Sequence, residues 1–336
     1  MILWKSLLAG TALGLFGVVG ATQAQDKLFV YVSPDVIGVN AFLKMGQTGT
    51  EAAAAKFGAE AKTFESSNAA SRKENVEAAI NEGASIIVMA GFEFNDIVTE
   101  LAPAVPDTQF LIVDQCIENR PDNVHCAVFR EHEATYLIGV AAGMLTKSNK
   151  VGVVSALDIP FLHRYTDGYA AGAKAQNPAV AVDIRWVGGE NPFADPVRAK
   201  EQALAASAAG SDVIFTATSG GDFGVFEAAK EADFKAFAVD VNLCPEDPEH
   251  MVSGTLKRVD NAILQAVEGI EAGEKQLMLS LGLKEKGMSI IGLEDEGLAE
   301  SKCLIASMPD VLAQVREVAA QIEDGSLTVE DPMFAK

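Results

Sequence analysis

The chain of 336 residues is short of positive charge: 26 Lys and Arg stand against 47 Asp and Glu, a formal net charge of −21 at pH 7. Binding nucleic acid needs a basic footprint to neutralise phosphates, and docking on anionic lipid needs one too, so the balance argues against both. A chain this acidic repels its own kind, and a monomer is expected. Catalytic signatures are also missing. There is no GxSxG, no GxxxxGK[ST] and no HExxH. The turn after the first expected strand, Ser33 to Gly38, lacks the GxGxxG that would cradle a dinucleotide. There is no CxxC, and His125, His132, His163 and His250 show no ligand spacing, so neither metal nor cofactor is expected. With 49% hydrophobic and 22% charged residues, the chain is not disordered, collagen-like or a coiled coil.

What is present begins with an export segment. Met1 to Ala24 carries one charge, Lys5, then the apolar run Leu7 to Ala21 and small residues ending at Ala24. That run is short of the roughly 20 residues of a membrane span. The pattern reads as a secretory signal peptide, residues 1–24, with a periplasmic mature protein. No Cys near the cleavage site offers a lipid-attachment signal. Export permits disulfides. Cys116–Cys126 and Cys244–Cys303 is the favoured pairing of three, with free buried thiols as the alternative.

The remainder alternates short apolar strands with helices. Leu28–Val32, Ala61–Glu65, Ser85–Met89, Phe110–Val113 and Val124–Phe129 read as strands, separated by helices over Ala41–Phe57, Asn68–Asn81 and Glu93–Ala102. After a helix over Glu131–Leu145 the rhythm repeats, with strands at Val151–Val154, Val180–Val187, Asp212–Thr216, Ala236–Val239 and Gly254–Lys257. Continuous apolar strands alternating with helices indicate parallel sheets covered on both faces. Two such runs give an α/β chain of two doubly wound lobes. Residues 25–129 plus about 257–282 are assigned to lobe I, and 130–256 plus about 283–336 to lobe II. No low-complexity linker separates them, so several direct crossovers are expected.

Ligands of such sheets sit beyond the carboxyl ends of the strands. Asp35 and Asn40 follow the first strand, Phe92 the third, and Asp114 ends the fourth. Asp158 to Arg164, the glycine turn at Ser219–Gly224, Asp240 and Lys257 hold the same places in the second run. Asp114 and Asp240 can accept hydrogen bonds from vicinal hydroxyls of a sugar, or serve as caps and turn residues. Lys257 can donate to the same hydroxyls, or be a solvated surface lysine. Phe92 and Phe223 can stack on a flat ligand or pack under loops. Gly220-Gly221 can cradle an anion, but Asp222 inside the turn would repel a phosphate. His163 and Arg164 read as structural or surface residues.

The chain resembles the basic-membrane-protein family of substrate-binding proteins, whose relatives include purine nucleoside receptors of ABC importers. The resemblance covers nearly all of the expected mature chain. It is carried by Phe129-Arg130-Glu131-His132-Glu133-Ala134-Thr135-Tyr136-Leu137-Ile138-Gly139, by Asp158-Ile159-Pro160 with Gly168-Tyr169-Ala170-Ala171-Gly172, by Asp212-Val213-Ile214-Phe215, by Gly224-Val225-Phe226-Glu227-Ala228-Ala229-Lys230 and by Lys257-Arg258-Val259-Asp260. It implies a type I periplasmic binding protein fold with a ligand cleft between the lobes. By that resemblance Asp114, Asp240 and Lys257 hold a ribose, Phe223 stacks on a purine, Asn40 contacts the base, and Asp35 matches an acidic residue of the same loop. The sequence departs from the pattern at Val39, where nucleoside binders carry Phe. Phe42 and Phe92 are the candidates to replace it. The function implied is a non-catalytic binding protein for a nucleoside, serving an ABC permease in the inner membrane. The alternatives are a binding protein for a simple sugar or polyol, a ligand-sensing partner of a membrane receptor, and a secreted hydrolase using Asp114 and Asp240 as its acid–base pair.

Overall fold

The computed structural model describes residues 27–334; the expected signal peptide lies outside the described residues. The first lobe contains β1 (Leu28–Ser33), α1 (Ala41–Phe57), β2 (Glu60–Glu65), α2 (Ala69–Asn81), β3 (Ile86–Ala90), α3 (Asn95–Leu101), β4 (Gln109–Val113) and β5 (Val124–Phe129). The chain continues through α4 (Glu131–Leu145), β6 (Lys150–Ser155), α5 (Pro160–Gln176), β7 (Ala181–Trp186), α6 (Pro196–Ala208), β8 (Val213–Ala217), α7 (Asp222–Ala232), β9 (Lys235–Ala238) and β10 (Met251–Lys257). It closes with α8 (Val259–Glu271), β11 (Met278–Leu281), β12 (Met288–Ile290) and α9 (Pro309–Asp324).

The strands form two sheets of six, ordered β2-β1-β3-β4-β5-β11 and β7-β6-β8-β9-β10-β12. Matching β1–β5 to β6–β10 superposes one order on the other. Every residue of β1, β3 and β8 is buried, as expected of strands covered by helices on both faces, whereas the edge strands β2 and β7 are largely exposed or half-buried. Three connections pass between the sheets: β5 into α4, β10 into α8, and β11 into β12. Arg130 and Arg258 stand at the first two, and their N–H groups donate to the carbonyls of Leu281 (3.0 Å) and Gly287 (2.9 Å) on the third.

Helices α4 and α5 pack closely because glycines face the contact. A Cβ on Gly139 would overlap the Tyr169 carbonyl, and one on Gly172 the Tyr136 carbonyl. The expected cysteine pairs are both bonded, with Cα–Cα distances of 5.4 Å (Cys116–Cys126) and 5.1 Å (Cys244–Cys303).

Three local expectations need correction. The helix over Glu93–Ala102 is instead a 3₁₀ turn at Phe92–Phe94, then α3, then a second 3₁₀ turn at Ala102–Ala104. Pro103 lacks the N–H that would continue the α ladder. Strand β10 begins at Met251, not Gly254, because its polar residues are buried and satisfied: Ser253 donates to the Ile291 carbonyl at 2.7 Å, and Thr255 accepts from the Asp240 N–H at 3.1 Å. One strand, β12, is antiparallel to its neighbour β10. The chain re-enters the second lobe from the cleft side, with Met288 beside Lys257, so it runs down the sheet.

Candidate functional site

A cleft opens at the carboxyl ends of both sheets, where ligands of such folds sit. Seven expected residues line it: Asp35, Asn40, Phe42, Phe92, Asp114, Asp240 and Lys257. Phe223 does not. It lines a small adjoining pocket with Val39, and the two pockets share Phe42, Ser219, Val239 and Asp240. Phe223 packs edge-on to Phe226, with ring centroids 6.0 Å apart.

Lys257, the last residue of β10, is only 1% exposed, which overturns its reading as a solvated surface lysine. Its Nζ lies 2.8 Å from Asp114 Oδ1 and 3.0 Å from Glu131 Oε1, and it donates to the Tyr165 hydroxyl at 3.0 Å. The rings of Phe129, Phe42, Phe161 and Tyr165 surround the ammonium at 4.9–5.7 Å. Burial opposes its charge, but the facing oxygens of Asp114, Tyr165, Glu131 and Asp240 hold its pKa well above the ordinary lysine value. Burial pushes the Asp114 and Glu131 carboxyls up, against the pull of Lys257. Glu131 opens α4 and is wholly buried, with its second oxygen 3.4 Å from Arg164 Nη1. Arg164 is a buried structural residue that also donates to the Phe129 carbonyl (3.1 Å) and pairs with Asp331 (2.6 Å). His163 faces Asp158 and Asp167 at 2.9 and 3.0 Å.

Asp114 and Asp240 follow β4 and β9 with left-handed backbones, φ 76° and 68°. Aspartate tolerates this region better than most residues. The Asp240 carbonyl accepts from the Lys257 N–H at 2.9 Å, which fixes the turn, while its carboxylate Oδ1 is buried with no hydrogen-bond partner among the described residues. Burial lifts Asp240 to about 6; Lys257 pulls it down, and Asp222 and Glu131 push it further up.

The end of the cleft near Asp35, Asn40 and Val39 is less enclosed. Asn40 caps α1, its Oδ1 accepting from the Leu43 N–H at 3.2 Å, so that oxygen is committed to the helix. Asp35 lies 3.8 Å from Arg72, and burial raises its pKa. Val39 is 72% exposed at the lip of the adjoining pocket. Asp222 turns inward: its Oδ1 accepts from the hydroxyls of Thr216 (2.7 Å) and Thr218 (2.8 Å) and the Thr218 N–H (3.1 Å). Burial lifts it to about 6 against these bonds.

A family profile described as ABC transporter substrate-binding protein PnrA-like (Bmp) matches residues 27–308. The chain belongs to the Bmp family. It is 31% identical over 284 residues to a CD4+ T-cell-stimulating antigen of Listeria monocytogenes, covering 79% of this chain and 76% of that one. It is 29% identical over 286 residues to the ABC transporter nucleoside-binding protein BmpA of Lactococcus lactis, covering 79% and 77%. A solved solute-binding protein of an ABC transporter system from Aeropyrum pernix matches with TM-score 0.78 and 26% identity, over 91% of this chain and 94% of that one. The fold is thus the two-lobed type I periplasmic binding fold, and this Bmp-family chain is an ABC transporter substrate-binding protein. No helix among the described residues is long and apolar enough to cross a membrane.

Sequence reasoning missed Glu131, Tyr165 and Glu93, and took in Phe161 only as part of the rim segment Asp158 to Arg164. Glu131 and Tyr165 lie in or beside the quoted motifs. Chemically, the carboxylates of Asp35, Glu93, Asp114 and Asp240 line a cleft with one lysine, whose charge Asp114 and Glu131 already face. Such a cleft favours ligands rich in hydrogen-bond donors and disfavours phosphates.

Proposed function

We propose that this Bmp-family protein binds a nucleoside between its lobes and presents it to an ABC permease. In this reading Asp114, Asp240 and Lys257 take the ribose, and Asn40, Asp35, Phe42 and Phe92 meet the base, with Phe223 at the adjoining pocket. The observation that carries it is the buried Asp240 Oδ1 near Lys257, without a hydrogen-bond partner among the described residues. Vicinal hydroxyls would supply the missing donors. The nucleoside-binding name of the Lactococcus lactis relative supports the same choice. A periplasmic monomer without catalytic activity completes the proposal.

A simple sugar or polyol is the second reading, favoured by one observation: the base end has exposed Val39 where an aromatic would complete a stacking pair. A thermal-shift screen of nucleosides, bases, sugars and polyols decides between them. A ligand at ~100 times its Kd adds about 2.7 kcal/mol of stability. A nucleoside is expected to give that shift, and Asp114→Ala and Asp240→Ala to abolish it. A nucleoside shift that survives both substitutions contradicts the ribose assignment, and release of free base contradicts the non-catalytic reading.

A further inference from the structure

Glu93 lines the cleft, and neither the fold nor the ribose assignment uses it. It sits in the 3₁₀ turn after β3, anchored by the fully buried Phe94. Its Oε2 is buried and has no hydrogen-bond partner among the described residues. Gly91 makes room for that oxygen: a Cβ there would overlap it, and the backbone at φ 107° disfavours any other residue. The charged and titratable groups facing it are Arg72 from α2, Asp35 from the loop after β1, Asp114 after β4 and Tyr31 from β1. Burial lifts its carboxyl to about 7. Its own backbone N–H and Arg72 pull it down, and Asp35 and Asp114 push it up. A buried carboxyl oxygen left without a donor, on a residue that lines the cleft, is a candidate ligand-recognition group.

We propose that Glu93 is a specificity-determining residue that accepts a ring N–H from the base of the bound nucleoside. This rests on the nucleoside reading above. It selects bases whose edge presents a ring N–H, as 6-oxopurines do, over adenine-type edges, which present a bare acceptor at that position. The carboxylate accepts the N–H more strongly than the neutral carboxyl does, so binding draws the proton off Glu93. At pH 7 that is roughly half a proton, and affinity rises from pH 6 to 8. Asp240, with its pKa of about 6, adds only about a tenth of a proton at pH 7.

The test is isothermal titration of the full mature chain at pH 7 in two buffers of different ionisation enthalpy. Wild type and Glu93→Gln are each titrated with inosine, adenosine, hypoxanthine and ribose. Expected are inosine bound more tightly than adenosine, release of about half a proton by the wild type, and roughly tenfold weaker inosine binding by Glu93→Gln with that release gone. Unliganded Glu93→Gln should melt no lower than the wild type, since a buried unpaired carboxyl has been removed; Glu93→Ala provides the same proton readout. Unchanged inosine affinity and proton count in the variants overturn the Glu93 assignment and leave the nucleoside reading standing, as does preference for adenosine with proton uptake. Hypoxanthine bound without inosine, but weakened by Glu93→Gln, supports Glu93 and overturns the nucleoside reading. Binding of ribose alone, or of none of the four, overturns both.

Discussion

Asp114 and Asp240 occupy matching places in the two lobes but are paired differently. Each follows the fourth strand of its lobe with a left-handed backbone, and each is closely followed by a disulfide-bonded cysteine, Cys116 or Cys244. Asp114 meets Lys257, which arrives from the other lobe, so its charge is spent on a brace across the cleft. Asp240 Oδ1 has no hydrogen-bond or ion-pair partner among the described residues. One topological position thus yields a carboxylate paired with a lysine in lobe I and one without such a pair in lobe II. The difference is set by which lobe supplies the lysine.

The largest expected effect breaks the brace. Lys257→Met leaves Asp114 and Glu131 buried without their cation, and removing one member of a buried ion pair costs about 3–5 kcal/mol. Urea denaturation measures it; a loss below ~1 kcal/mol would mean the cluster does not brace the lobes.

The two disulfides differ between the lobes as well. Cys244–Cys303 closes 59 residues and Cys116–Cys126 only 10. Chain entropy gives losses of ~4.2 and ~2.7 kcal/mol when the pairs are replaced by Ala. Differential melting of the two double variants should therefore favour the lobe I variant, and the reverse order would contradict a purely entropic account.

Asp240→Asn is expected to act through pH. A folded-state pKa raised to about 6 gives stability that is full below the unfolded value near 3.8 and is lost as pH rises through 6. The variant should therefore melt higher than the unliganded wild type at pH 8, by about 2–3 kcal/mol, and equal it near pH 4. A variant less stable at pH 8 would show that the orphan oxygen has a partner in solution.

Much of this architecture was legible because burial on both faces writes itself as unbroken apolar runs, as in β3 and β4. The bounds of α1 and α4 were readable for a different reason: Asn40 marks the start of one and Gly58 the end, and Thr146 ends the other. The rim positions followed from strand ends alone. What stayed hidden is what depends on distant residues meeting. Nothing local to Lys257 announces burial, since its partners arrive from β4, α4 and α5. Glu93 looked like any exposed helix acid until the turn at Gly91 folded it inward. Strand β12 was too short at three residues to reveal its direction.

The central claim is that the Asp114–Lys257–Asp240 end of the cleft takes ribose hydroxyls. Isothermal titration of the wild type with inosine and with 2′,3′-dideoxyinosine tests it most directly. Two charge-assisted hydrogen bonds lost should weaken the dideoxy compound by about 100-fold or more. Equal affinity for the two would contradict the account.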